Sequence, residues 1–219
     1  MSDLIILYNC ASHVAIDAYY HTYSFPTLLH PFLRASDNAM LTHAKLILAQ
    51  VSSVLTDDEI HESMKLSSSS ADELISILGE ASTAADRKSN GFTVIELARG
   101  LKRLLVCNEN SNLISKTDLF PIFVSVFSCG SVQEQIASCE LLWSLQKSTK
   151  FKSELCKSDF SLPELLERMK ESQNSSLSML ASCTLWNLMD TYEQGKQVWP
   201  WYHLYNVRVY NTAGRGCMV

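Results

Sequence analysis

One eight-residue segment returns almost intact later in the chain, and that recurrence constrains the fold more than any other feature. Ser138-Cys-Glu-Leu-Leu-Trp-Ser-Leu145 reappears as Ala181-Ser-Cys-Thr-Leu-Trp-Asn-Leu188, forty-three residues on. A shorter apolar segment with an early proline precedes each copy. These are Leu119-Phe-Pro-Ile-Phe-Val-Ser-Val-Phe127 and Leu162-Pro-Glu-Leu-Leu-Glu-Arg-Met169, with prolines forty-two residues apart. An earlier copy reads Phe25-Pro-Thr-Leu-Leu-His-Pro-Phe-Leu33, followed by a long periodic stretch from Ala39 to Leu55. A degenerate copy reads Asp72-Glu-Leu-Ile-Ser-Ile-Leu78, followed by Phe92 to Cys107. Corresponding leucines fall at Leu7, Leu48, Leu101, Leu142 and Leu185, in steps of 41, 53, 41 and 43. The long step coincides with one polar stretch, Glu80 to Gly91, which reads as an exposed loop insertion over 80–91. A period in this range belongs to stacked units, none of which can bury its apolar face alone.

The units are helical. From Ser131, the apolar residues Val132, Ile136, Cys139, Leu142, Trp143 and Leu145 recur at the spacing of a wide helical stripe. Four segments match the capping box, in which a Ser or Thr hydroxyl and a Glu three residues on satisfy each other's backbone donors. They begin at Thr56, Ser70, Ser131 and Ser161, with Glu59, Glu73, Glu134 and Glu164 as partners. Pro163 falls in the first turn of its helix, where its missing N–H costs nothing. The chain holds only 7 Gly and 5 Pro in 219 residues, against roughly 26 at average usage. That is too few turn residues for a sandwich or barrel. With 47% hydrophobic residues, the chain must bury apolar surface rather than stay disordered.

Charge and cysteine content narrow the setting. The 18 basic and 23 acidic residues give a net charge of −5, without the basic footprint of a general nucleic-acid binder. Seven cysteines at 10, 107, 129, 139, 156, 183 and 217, an odd number with no CxxC, read as reduced thiols in a cytoplasmic protein. No apolar run approaches the 18 or so residues that span a bilayer, so neither membrane nor nucleic acid is expected as a partner.

The short helix opening in Pro-x-Leu-Leu, then the long helix ending in Ala181-Ser-Cys-Thr-Leu-Trp-Asn-Leu188, resembles the armadillo repeat. Leu185-Trp186-Asn187-Leu188 keeps the Leu-x-Asn-Leu ending, and Leu7-Tyr8-Asn9-Cys10 echoes it. The resemblance covers residues 1 to about 192. It is clearest over 117–190, fair over 13–55 and weakest over 57–107. HEAT repeats share the period without that ending. The resemblance implies an all-α, right-handed solenoid of about four and a half repeats over residues 1–195, whose long helices line a concave groove holding an extended partner segment. Residues 196–219 depart from it. They carry five aromatics within 198–210 and read either as a cap folding back on the last repeat or as the start of another domain.

Candidate chemistry is weak. Cys10, His13 and Asp17 share one helical face, but no fourth metal ligand accompanies them. Cys139 and Cys183 lie in apolar helices and read as buried, inert thiols. The carboxylate pairs fall in first turns, where they complement the helix dipole, and no phosphate-cradling glycine motif is present. No cofactor, metal or catalytic residue is therefore expected. Trp143 and Trp186 are expected to pack between repeats. In importin-like armadillo proteins a groove tryptophan lies four residues before the asparagine. Glu140 and Cys183 occupy that position here, which leaves a nuclear-signal groove without support.

The armadillo register implies a polar row of Asn9, Gln50, Arg103, Ser144 and Asn187, with Ile5, Leu46, Arg99, Glu140 and Cys183 one turn earlier on the same face. Side-chain amides both donate and accept, so such a row can pair with the backbone of an extended peptide. Arg99 and Arg103 favour an acidic residue in it. The expected function is therefore a non-catalytic protein–protein interaction module whose groove comprises Asn9, Gln50, Arg99, Arg103, Glu140, Ser144 and Asn187. The alternative is the regulatory armadillo region of a larger signalling enzyme, for example of the ARM–TIR type.

Overall fold

A computed structural model describes residues 29, 31–51, 62–114, 119–148, 150–152, 155 and 161–195. Asn9, the Cys10–His13–Asp17 face, the Thr56 capping box and the tail 196–219 lie outside the described residues. Among the described residues the fold is mostly helical, in keeping with an all-α chain. In chain order the elements are α1 (Asn38–Val51), α2 (Ser68–Thr83), β1 (Lys88–Ser89), β2 (Phe92–Thr93), α3 (Val94–Leu104), α4 (Asn108–Ile114), α5 (Phe120–Cys129), α6 (Val132–Leu145), α7 (Leu162–Lys170) and α8 (Ser175–Gly195). No described helix is long and apolar enough to cross a membrane.

The helices pack as two rows. In one, α1 packs on α3, α3 on α6, and α6 on α8; in the other, α2 packs on α5, and α5 on α7. The rows meet where α2 touches α3, α5 touches α6, and α7 touches α8. The corresponding leucines Leu48, Leu101, Leu142 and Leu185 lie at the seam, each with no exposed surface. Burying each of these side chains contributes about 1.5–3 kcal/mol. One continuous apolar core runs from Leu29 to Leu188.

Helix starts divide into those the capping pattern specifies and those it does not. At α6 the box forms as read: Glu134 N–H donates to Ser131 Oγ at 3.4 Å, and Ser131 N–H donates to Glu134 Oε2 at 2.6 Å. At α7 no side-chain cap forms from Ser161; Pro163 in the first turn starts the helix instead. At α2 the cap moves three residues earlier, because Ser67 Oγ accepts from Ser70 N–H. Ser70 then lies inside the helix, and its hydroxyl donates to Asn38 Oδ1 at the start of α1, 3.2 Å away. A further box at Thr93–Glu96 starts α3. It is as visible in the sequence as the other four.

The polar insertion is part helix and part hairpin. Helix α2 takes residues 80–83, since Ala81 and Ser82 continue its buried face. The chain then turns through Arg87, Asn90 and Gly91, all at positive φ, and pairs β1 with β2 antiparallel. Asn tolerates that region and Gly prefers it, whereas Arg87 is held there by its side chain. Its Nε donates to Glu134 Oε1 at 2.9 Å, and its Nη1 donates to the Ser82 carbonyl. The carboxylate that caps α6 thus also anchors the hairpin.

Candidate functional site

The expected groove row is brought together in part: Arg103 and Gln50 bond to each other, and Glu140 and Asn187 bond to side chains outside the row. Arg103 Nη1 on α3 donates to Gln50 Oε1 on α1. Lys102 Nζ on α3 meets Glu140 Oε2 on α6 at 2.9 Å. Asn187 Nδ2 on α8 donates to Gln146 Oε1, just past α6, at 2.9 Å. Lys152 Nζ donates to Asn187 Oδ1 at 3.3 Å. Ser144 returns its hydroxyl to the Glu140 carbonyl at 3.0 Å. These side chains act first as a ladder joining α1, α3, α6 and α8. Gln50 and Asn187, expected to offer amides to a peptide backbone, and Arg103, expected to favour an acidic residue in it, each also hold a side-chain bond to a neighbouring element.

Sequence spacing explains how the ladder is built. Positions 99, 102 and 103 of α3 recur as 140, 143 and 144 of α6, and as 183, 186 and 187 of α8. Residues three and four apart share one helical face, so each helix presents a corresponding triad: Arg99, Lys102 and Arg103; then Glu140, Trp143 and Ser144; then Cys183, Trp186 and Asn187. None of these nine residues is buried. In α1 the corresponding Leu46 and Ala49 are buried, Leu46 against Gly100 of α3. The exposed strip among the described residues therefore spans three helices.

Two tryptophans correct the sequence expectation. Trp143 is 38% exposed and Trp186 60%, on corresponding faces of α6 and α8, so they do not fill the space between helices. Smaller side chains do that: Cys139, Leu141 and Leu142 on α6, and Ala181, Thr184 and Leu185 on α8. The two thiols read as buried and inert part company. Cys183 is exposed, on the same strip as Trp186 and one turn before Asn187. Cys139 fits the reading: burial pushes its thiol up to about 12, so the reactive thiolate is scarce at neutral pH.

Electrostatics leave the strip open to exchange. Lys102 and Glu140 are both substantially solvated, and such a pair is worth about 0–1 kcal/mol. Arg99 is exposed. The strip thus runs from basic on α3, through Glu140 and Trp143, to Trp186 on α8. Among the described residues no group of three or more His, Cys, Asp or Glu is placed to hold a metal ion. A hollow of about 300 Å³ lies elsewhere, lined by Phe127, Gln135, Leu165, Arg168, Met169 and Leu177 among others. No residue of the strip lines it. No protein-family model, curated protein or solved structure matches the chain.

Proposed function

We propose that the chain is an armadillo-like α-solenoid and a non-catalytic protein–protein interaction module, whose partner segment lies across the exposed strip of α3, α6 and α8. One observation carries the reading. Tryptophans at corresponding positions of two adjacent long helices stay solvent-exposed, although smaller side chains beside them are fully buried. An exposed aromatic rimmed by polar groups is the surface feature that marks interaction sites, and tryptophan is enriched among residues that dominate binding. Arg99 favours an acidic residue in the partner, and Trp143 offers an apolar anchor.

The test is affinity capture with the full chain and with an Arg99→Glu, Trp143→Ser variant, read by quantitative mass spectrometry. Arg103 is left intact because it holds α3 to α1 through Gln50. Loss of a binding anchor costs about 2 kcal/mol or more, so specific partners should fall by roughly thirtyfold while the melting temperature holds. An unchanged set of captured proteins rejects this surface.

A further inference from the structure

Of the strip's nine side chains only those of Glu140, Ser144 and Asn187 carry an oxygen, and each already has a partner within the fold. Glu140 Oε2 pairs with Lys102 Nζ at 2.9 Å. The Ser144 hydroxyl donates to the Glu140 carbonyl at 3.0 Å, and Asn187 Oδ1 accepts from Lys152 Nζ at 3.3 Å. Helix α3 contributes cations alone, Arg99, Lys102 and Arg103. The strip is thus rich in donors and apolar rings and poor in acceptors. An extended segment laid across it would turn backbone N–H groups toward the protein, and each one cut off from water needs an acceptor. A helix arrives with its backbone bonds already made and needs only side-chain anchors.

We propose that the partner segment docks as an amphipathic α-helix laid across α3, α6 and α8, with a carboxylate over Arg99 and apolar side chains over Trp143 and Trp186. This helix presupposes the partner strip proposed above and specifies what fills it. Packed helices lie about 8–10 Å apart, so anchors on neighbouring helices of the strip are separated by about that distance. Seven residues of helix rise about 10.5 Å and return to nearly the same face after two turns. The recognised pattern is therefore an acidic residue, an apolar residue about seven positions away, and a second apolar residue about seven beyond that. An extended segment would cover each step in about two to four residues. Charge fits the same arrangement. The cations of α3 form one end of the strip, and the exposed indoles of Trp143 and Trp186 occupy its middle and far end. A helix laying its apolar face on such anchors is an established mode of recognition.

Phage-displayed random peptides of about twenty residues, long enough for both steps in a helix, test this. They are selected on the full chain and counter-selected on the Arg99→Glu, Trp143→Ser variant. Alkylation checks the variant's fold, since buried Cys139 stays unreactive while the chain is folded. The strongest binder is then remade with one proline midway between its anchors. Helical docking predicts the acidic–apolar–apolar pattern at steps of about seven, and a loss of about a hundredfold in affinity from the proline. Anchors about two to four residues apart overturn the helix and leave the strip standing. So does a binder whose affinity the proline changes by less than about threefold. Peptides that bind the full chain and the variant alike, or a selection that yields no binder, reject the strip and the helix with it.

Discussion

Gly100 of α3 lies so close to Leu46 of α1 that a Cβ on the glycine would fall 2.5 Å from Leu46 Cδ2. Glycine inside a helix costs about 1 kcal/mol relative to alanine; here it allows two long helices to approach. Gly100→Ala should therefore destabilise, by up to about 2 kcal/mol net, because overpacking offsets or outweighs the gain in helix propensity. Leu46→Ala alone should cost about 2–5 kcal/mol. The double variant should cost less than the two combined, since the new methyl enters the space the leucine leaves. Urea denaturation of the four proteins measures the coupling, and additive costs would contradict the contact.

The Arg87–Glu134 pair predicts a pH dependence. Burial by itself raises the Glu134 carboxyl, but the Arg87 guanidinium and the Ser131 backbone and hydroxyl donors outweigh it and hold it below its ordinary value. A carboxyl lowered in the folded state contributes stability above its unfolded value, near 4.3. That contribution is lost as pH falls through the lower folded value. Glu134→Gln should cost about 2 kcal/mol at pH 7, the size of a lost hydrogen bond to a charged group, with the gap to wild type narrowing below about pH 4. A gap that stays constant in urea titrations from pH 7 to pH 3 would contradict the pairing.

Asn110 fastens the segment that leads into α2. It is fully buried, accepts from Leu66 N–H at 2.8 Å, and donates to the Met64 and Leu104 carbonyls at 3.0 and 2.7 Å. Each buried group left unpaired costs about 1–3 kcal/mol, so Asn110→Ala should lose about 3 kcal/mol or more. Asn110→Asp should lose a comparable amount, as a carboxylate cannot donate to either carbonyl. Thermal melts that stay within about 1 °C of wild type would show that the bonds contribute little.

Exposure of Trp143 makes the opposite prediction for a large side chain. A core tryptophan costs about 3–5 kcal/mol on truncation, whereas Trp143→Ser should cost less than about 1 kcal/mol. Stability curves separate the two directly.

Much of this architecture is legible in the sequence. The forty-three-residue recurrence places Leu142 and Leu185 at the seam, and Pro121 and Pro163 mark helix starts that form in the first turn. Periodicity fails where two physical solutions share one pattern. Four serines at 67–70 offer alternative caps, and Ser67 prevails while Ser70 bonds across to Asn38. Trp143 and Trp186 look like core because they lie beside core residues, but their positions on the wheel face outward. The polar row is readable as a row; that Arg103 meets Gln50, and that Lys102, Gln146 and Lys152 bond to Glu140 and Asn187, depends on how neighbouring elements approach, which spacing alone does not state. The Arg87–Glu134 contact joins residues 47 apart and leaves no local signal at all.

Whether the strip around Trp143 receives a protein segment is tested most directly by photochemical cross-linking. The photoreactive benzoylphenylalanine is placed at position 143 of the full chain, with the same label at Arg168 on α7 as the comparison. Discrete cross-linked proteins are expected at 143, mapped to one segment of each, absent at 168 and lost when Arg99→Glu is added. Equal labelling at both positions, or cross-links at 143 that persist with Arg99→Glu, would contradict the proposed surface.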